Sequence, residues 1–241
     1  MNSASSPISP SQGTTPLRVW DLPTRVFHWL LLVLVVALIM TGHQGGDWLP
    51  WHARCGYGVF TLLLFRLVWG VVGGHHSRFV QFFPSCTTLR SAIVRAFRGP
   101  HQASIGHNPI GALSVVALLL VLGLQVASGL TSDDEIAFSG PLSAQVSAGW
   151  VSLATWYHKA VGKRLLIGLV VLHVLAIAYY RRRYGERLVT AMVLGDKCLR
   201  HDQVSQAQAS RDGPRERLHA LGWLVVCGLI VYAVVQWGAS S

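Results

Sequence analysis

An all-α integral membrane protein, a four-helix bundle with a fifth C-terminal spanning helix, is the fold class this sequence predicts. Three observations predict it. Hydrophobic residues make up 51% of the 241 residues and charged residues 12%, about half the usual charged share. The mean hydropathy is +0.43. The apolar residues gather into five stretches of roughly 18–25 residues, the length a bilayer core requires, and Lys and Arg flank those stretches. The net charge of +10 therefore does not describe a nucleic-acid surface, which would need a basic patch with interleaved aromatics.

Residues 1–18 open with a Ser-, Thr- and Pro-rich run that lacks the basic start and apolar core of a signal peptide, so they are expected to be a disordered cytoplasmic tail. The first span covers about 26–43. Pro23 precedes it, Arg25 and Trp29 anchor its entry, and His28 lies one turn inside. The second covers about 53–73, with His52 at its start and Arg66 near its far end. The connection that follows holds Arg78, Arg90, Arg95 and Arg98 without an acid, and about Thr87 to Arg98 reads as an amphipathic interfacial helix. In GHNP, Asn108 suits an N-cap and Pro109 the first helical position. The third span, about 110–130, has neither histidine nor charge. A loop carrying Asp133, Asp134 and Glu135 leads to the fourth, about 156–180, which ends in Arg181, Arg182 and Arg183. Residues 194–217 read as a polar, partly ordered cytoplasmic linker before the fifth span at 218–237. The domain of interest is then 19–193.

The loops assign orientation. Lys and Arg concentrate in the N-terminal region and in the 74–109 and 181–217 segments, whereas 44–51 and 131–157 carry acids. The positive-inside rule places the N-terminus in the cytoplasm and, after an odd number of spans, the C-terminus outside. In a bacterium this is the inner membrane.

Histidines point to the chemistry. His158 and His173 are 15 residues apart on the fourth span, which places them about 22 Å apart along a helix and about 60° apart around it. They share a face at opposite depths, and ionisable groups inside a membrane are expensive enough to imply function. His28 matches the depth of His173, and His52 that of His158. Two histidines per level, with no adjacent Cys or carboxylate, favour a planar macrocycle with two axial ligands over tetrahedral zinc, hence haem and electron transfer. His43 lies 15 residues after His28, so on spacing alone it rivals His52 as the outer ligand. The four cysteines, Cys55, Cys86, Cys198 and Cys227, form no CxxC or CxxCH, which leaves covalent haem, iron–sulfur clusters and structural zinc unsupported.

RVFHW around His28, PWHARCGYG around His52, FRLVWG around Arg66, GHNP and the two histidines of the fourth span together resemble the prokaryotic cytochrome b561 family, which includes the b-type subunit of nickel–iron hydrogenases. The resemblance covers about Val19 to Val193. It implies a four-helix bundle with two non-covalent b haems, His28 and His173 ligating the inner one and His52 and His158 the outer one, which favours His52 over His43. It also implies quinone as the membrane partner. The fifth span, and Lys163 and Arg164 within the fourth, depart from the smallest members.

Haem propionates need cations or solvent. Arg66 is expected at the inner haem's propionates, and Arg54, Lys163 and Arg164 at the outer haem's. His219, at the start of the fifth span, is most simply interfacial. The acidic outer loop suggests a docking surface for a basic soluble cytochrome. Two other functions fit the composition. One is a membrane anchor subunit of a larger oxidoreductase such as a hydrogenase; the other is a histidine-lined metal transporter, which would carry no visible chromophore.

Overall fold

The computed structural model describes residues 14–82, 106, 109–136, 138–200 and 208–240. The interfacial helix expected over 87–98 and the capping role of Asn108 lie outside the described residues. Helix α1 spans Leu22–Gln44, α2 Leu49–Val72, the short α3 Phe79–Phe82 and α4 Pro109–Thr131. The fourth span is one long rod made of α5 (Ala148–Trp156), a π-helical turn (Tyr157–Gly162) and α6 (Lys163–Tyr184). A short α7, Leu188–Leu194, and α8, Pro214–Ala239, complete the helices. Five of these segments are long and apolar enough to cross a membrane.

Helices α1, α2, α4 and α5–α6 pack in sequence order, while α1 and α6 stand apart at backbone level and α8 packs against the outside of α2. Two apolar clusters run through the bundle. Val35, Val59, Leu63, Leu122 and Leu166 form the central one. Phe27, Leu62, Phe65 and Trp69 join Ala220 and Cys227 of α8 in the other. The fifth helix is therefore part of the core at one end. From Gly168 onward α6 buries no residue against the protein.

Helix α1 begins four residues before the expected span because Asp21 caps it. Asp21 is fully buried and accepts from the Thr24 N–H at 2.8 Å. It also accepts from the Trp69 indole at 3.3 Å, the Gly74 N–H at 3.1 Å and the Ser77 hydroxyl at 2.8 Å. A Cβ at Gly74 would collide with the carboxylate, so the approach of the α2 exit to the α1 entry requires glycine there. Asp21→Ala is expected to destabilise the protein by at least about 2 kcal/mol, because it removes a cap and leaves three further buried donors unmatched. Thermal unfolding in detergent, followed by circular dichroism, measures this.

Where the expected disordered tail and the expected partly ordered linker meet, the described residues are ordered. Thr14–Arg18 forms strand β1, paired antiparallel with β2, Asp196–Arg200. The Gly195 carbonyl accepts from the Val19 and Trp20 N–H groups at 2.9 and 3.0 Å. Ser210 donates its backbone N–H to Arg18 O and its hydroxyl to Val19 O. Asp212 binds Arg18, Arg25, Arg217 and the Leu22 N–H. These contacts tie the entry of α1 to the segment before α8, forming an ordered cap at the cation-rich end.

The cap should loosen in acid. Burial alone would raise the Asp212 carboxyl, but Arg217, the Leu22 N–H and Arg18 outweigh it and hold the group below the ordinary carboxylate range. Burial lowers His76, against a raising hydrogen bond to the Gln208 carbonyl, with His75 as its charged neighbour. A histidine depressed in the fold costs stability once the pH drops below its unfolded value, about 6.5. The contribution of Asp212 is present above its unfolded pKa and is lost as the pH falls through its folded one. Hydrogen-exchange protection of the Val19 and Trp20 amides should therefore fall in two stages on acidification.

Candidate functional site

At the end of the bundle away from the cap, His52 from the first turn of α2 and His158 from the π-helical turn face a cavity of about 360 Å³. Their ring centroids are 6.0 Å apart and nearly perpendicular. His52 Nδ1 lies 3.1 Å from the Leu38 carbonyl and 3.2 Å from the Thr41 hydroxyl. His158 Nδ1 lies 2.9 Å from the Gln125 carbonyl and 3.3 Å from the Ser128 hydroxyl. A carbonyl oxygen only accepts, so each Nδ1 carries the proton and each Nε2 keeps its lone pair for a metal. This is the usual outer support of a ligating imidazole.

The two cradles repeat one pattern. In each, the carbonyl belongs to residue i, the hydroxyl to i+3 and a glycine to i+4: Leu38, Thr41, Gly42 on α1 and Gln125, Ser128, Gly129 on α4. A Cβ on Gly42 would lie 3.0 Å from His52 Cε1, and one on Gly129 would lie 2.9 Å from His158 Cε1. Both glycines let a neighbouring helix carry an imidazole close against the backbone.

His158 is held at a second point. Gln125 Nε2 donates to the His158 carbonyl at 2.9 Å, so one residue grips both the ring and the backbone of the histidine. The surrounding π turn spans Tyr157–Gly162, a departure from α geometry often found at functional sites. Gln125 Oε1 and Tyr157 Oη are buried there without a hydrogen-bond partner among the described residues.

At the cap end, His28 on α1 and His173 on α6 are electrostatic neighbours. His28 Nδ1 is buried without a hydrogen-bond partner among the described residues, and its ring meets Trp29 edge-on at 5.2 Å. The histidines thus come together two by two. Among the described residues no three His, Cys, Asp or Glu side chains gather as a metal-ion cluster. Paired imidazoles, glycine-relieved helix surfaces and a mainly apolar lining, with Lys159, Lys163 and Asp134 in the wall, fit a planar cofactor with two axial ligands.

The expected cations sort differently. Lys163 lines the outer cavity, and so does Lys159, which sequence reasoning missed. Arg54 is exposed with its guanidinium 4.8 Å over the Trp51 ring, and Arg164 donates to the Ala160 carbonyl at 3.0 Å. Neither is in the cavity wall; Trp51 and the Ala160 carbonyl hold the two guanidinium groups along their own helices. Arg66 is buried, with its guanidinium 4.7 Å over Phe79 and Asp21 as its counter-charge. His43 is exposed in the last turn of α1 and is not part of the cavity wall.

The acidic loop uses its own charges. Asp133 Oδ1 accepts from the Glu135 N–H, and Asp134 Oδ1 accepts from the N–H groups of Ile136 and Phe138. Two of the three carboxylates shape the loop, and Ile136 stands 93% exposed at its tip.

The model of a family described as prokaryotic cytochrome b561 matches residues 19–195. A probable Ni/Fe-hydrogenase B-type cytochrome subunit of Bradyrhizobium diazoefficiens is 24% identical over 223 residues, covering 78% of this chain and 88% of the relative. The protein of the same name from Azotobacter vinelandii is 25% identical over 232 residues, covering 78% and 91%. The probable Ni/Fe-hydrogenase 1 B-type cytochrome subunit of Escherichia coli is 22% identical over 227 residues, covering 80% and 95%. No solved structure matches the chain.

Proposed function

We propose a function on the ground that the chain belongs to the prokaryotic cytochrome b561 family and is thus a multi-pass membrane b-type cytochrome of electron transfer. In this reading it holds two non-covalent haem b groups and carries electrons between a quinone pool and a partner redox protein. The observation that carries this reading is the facing pair His52 and His158, each with Nδ1 turned to a carbonyl and Nε2 left as a donor. His28 and His173 provide the second pair, one membrane depth away. A haem supplies one-electron chemistry at its iron. The chain's own residues orient the four imidazoles, exclude water with the apolar walls of α1, α2 and α4, and offer Lys159 and Lys163 to the carboxylates of the outer cofactor.

The names of the relatives favour a hydrogenase-type partner subunit. In this second reading the chain is the membrane electron-transfer subunit of a larger oxidoreductase. The proposed orientation in the bacterial inner membrane, with the N-terminus cytoplasmic and the C-terminus periplasmic, puts the His52–His158 end at the periplasmic face. A dithionite-reduced minus oxidised spectrum with a pyridine haemochrome assay tests the cofactor. The expected result is a low-spin b-type spectrum and two haems per chain; a folded protein without a chromophore would favour histidine-lined metal transport. Copurification of a catalytic subunit separates the anchor reading from an independent quinone-linked cytochrome.

A further inference from the structure

A second cavity, of about 730 Å³, lies at the opposite end of the molecule from the His52–His158 pair. The exit of α2, the His75–Ser77 turn and the start of α8 enclose it, so it sits where two spanning helices leave the apolar layer. No residue of the histidine pairs lines it, and half its wall comes from α8 and the segment before it, beyond the matched family region.

Its lining has two characters. Trp69 and Trp223 supply an aromatic side, and Arg78 and Arg211 a cationic one, with His75 and His219 beside them. Arg78 Nε donates to the Gly73 carbonyl at 2.9 Å, which pins the stem and leaves the guanidinium fork presented. Among the described residues neither Arg78 nor Arg211 joins an ion pair, because Asp212 is taken up by Arg18, Arg25 and Arg217. The one acid in the wall, Glu216, does not answer them. Its Oε2 lies 2.7 Å from where a Cβ of Gly213 would stand, so the carboxylate is turned back over the start of its own helix, where the helix dipole favours it.

We infer that this cavity binds the phosphate headgroup of an anionic membrane lipid, with Arg78 and Arg211 on the phosphate oxygens and Trp69 and Trp223 against the glycerol and upper acyl chains. Two unmatched guanidinium groups suit a phosphodiester, and basic pockets between spanning helices at the cationic face are where anionic headgroups bind. The bound lipid would tie α8 to the exit of α2 and give the fifth helix a role. The inference is independent of the haem assignment.

Native mass spectrometry of the full-length protein in detergent, titrated with phosphatidylglycerol, phosphatidylcholine or inorganic phosphate, tests it. One phosphatidylglycerol should be retained per chain at concentrations where phosphatidylcholine is not. Arg78→Gln and Arg211→Gln should each weaken retention about fivefold, and Glu216→Gln should strengthen it. Far-ultraviolet circular dichroism of each variant reports folding independently of lipid and of haem. Arg211 and Glu216 lie on the surface at the helix start, so those two variants remain informative if Arg78→Gln does not fold. Equal retention of phosphatidylcholine, indifference to all three substitutions, or displacement of the lipid by millimolar inorganic phosphate would each overturn the assignment.

Discussion

Replacing either His52 or His158 with alanine should lower bound haem from two per chain to one, and the double replacement should cost no more than either single one. Replacing His28 or His173 should remove the other haem by the same rule. The reason is that the members of a ligand pair act as a unit, so their deletions are not additive. His52 and His158 face one cavity, and among the described residues no third imidazole lines it. His43→Ala should leave both haems, because His43 is exposed and stands outside that wall. The pyridine haemochrome assay gives the stoichiometry, and potentiometric titration shows which of two b-type waves is lost. Partial loss of both waves in every single variant, or a loss in His43→Ala matching that in His52→Ala, would break the pairing.

What could be read from the residues depended on how local the signal was. The five spans were legible because burial in lipid demands unbroken apolar length, and their cores fall where the apolar runs do. The helix ends were less legible. Asp21 starts α1 at Leu22 through contacts with Trp69, Gly74 and Ser77, all about fifty residues away. The tail was expected to be disordered and the linker partly ordered; strands 14–18 and 196–200 satisfy each other's backbone and Asp212 gathers the surrounding arginines, pairings between distant segments that no local pattern marks. Histidine depth was legible by counting along each span. The cradles were legible in principle, since LIMTG and QVASG both place a hydroxyl and a glycine at the same offsets from a carbonyl, but nothing marks such a pattern until a neighbouring imidazole gives it meaning. The cations were least legible. Lys159 and Lys163 reach the cavity while Arg164 turns away, because consecutive residues point about 100° apart around a helix and only one of Lys163 and Arg164 can face the cavity.

The π turn carries the last large effect. Gly162→Ala and Gln125→Met are expected to act alike, weakening retention of the outer haem about 10–100-fold, the usual cost of disturbing the support of a ligating histidine. Gln125 grips His158 twice, by its carbonyl on the ring and by its amide on the main chain. Methionine keeps the volume and the carbonyl but removes the amide donor, and with it the tie between α4 and the main chain of the π turn, at a cost of about 0.5–1.5 kcal/mol for the lost hydrogen bond. Gly162→Ala attacks the same grip from the other side. Its Cβ would collide with Gln125 Oε1 and lie 2.8 Å from the Tyr157 ring, so the amide must leave or the turn must unwind. A turn that relaxes to α geometry rotates His158 away from His52. The matching readouts are outer-haem occupancy, its midpoint potential and its low-spin electron paramagnetic resonance signal, with the inner haem as the internal control. An unchanged outer haem in Gln125→Met would show that the Gln125 carbonyl alone positions His158 and that the amide grip is dispensable.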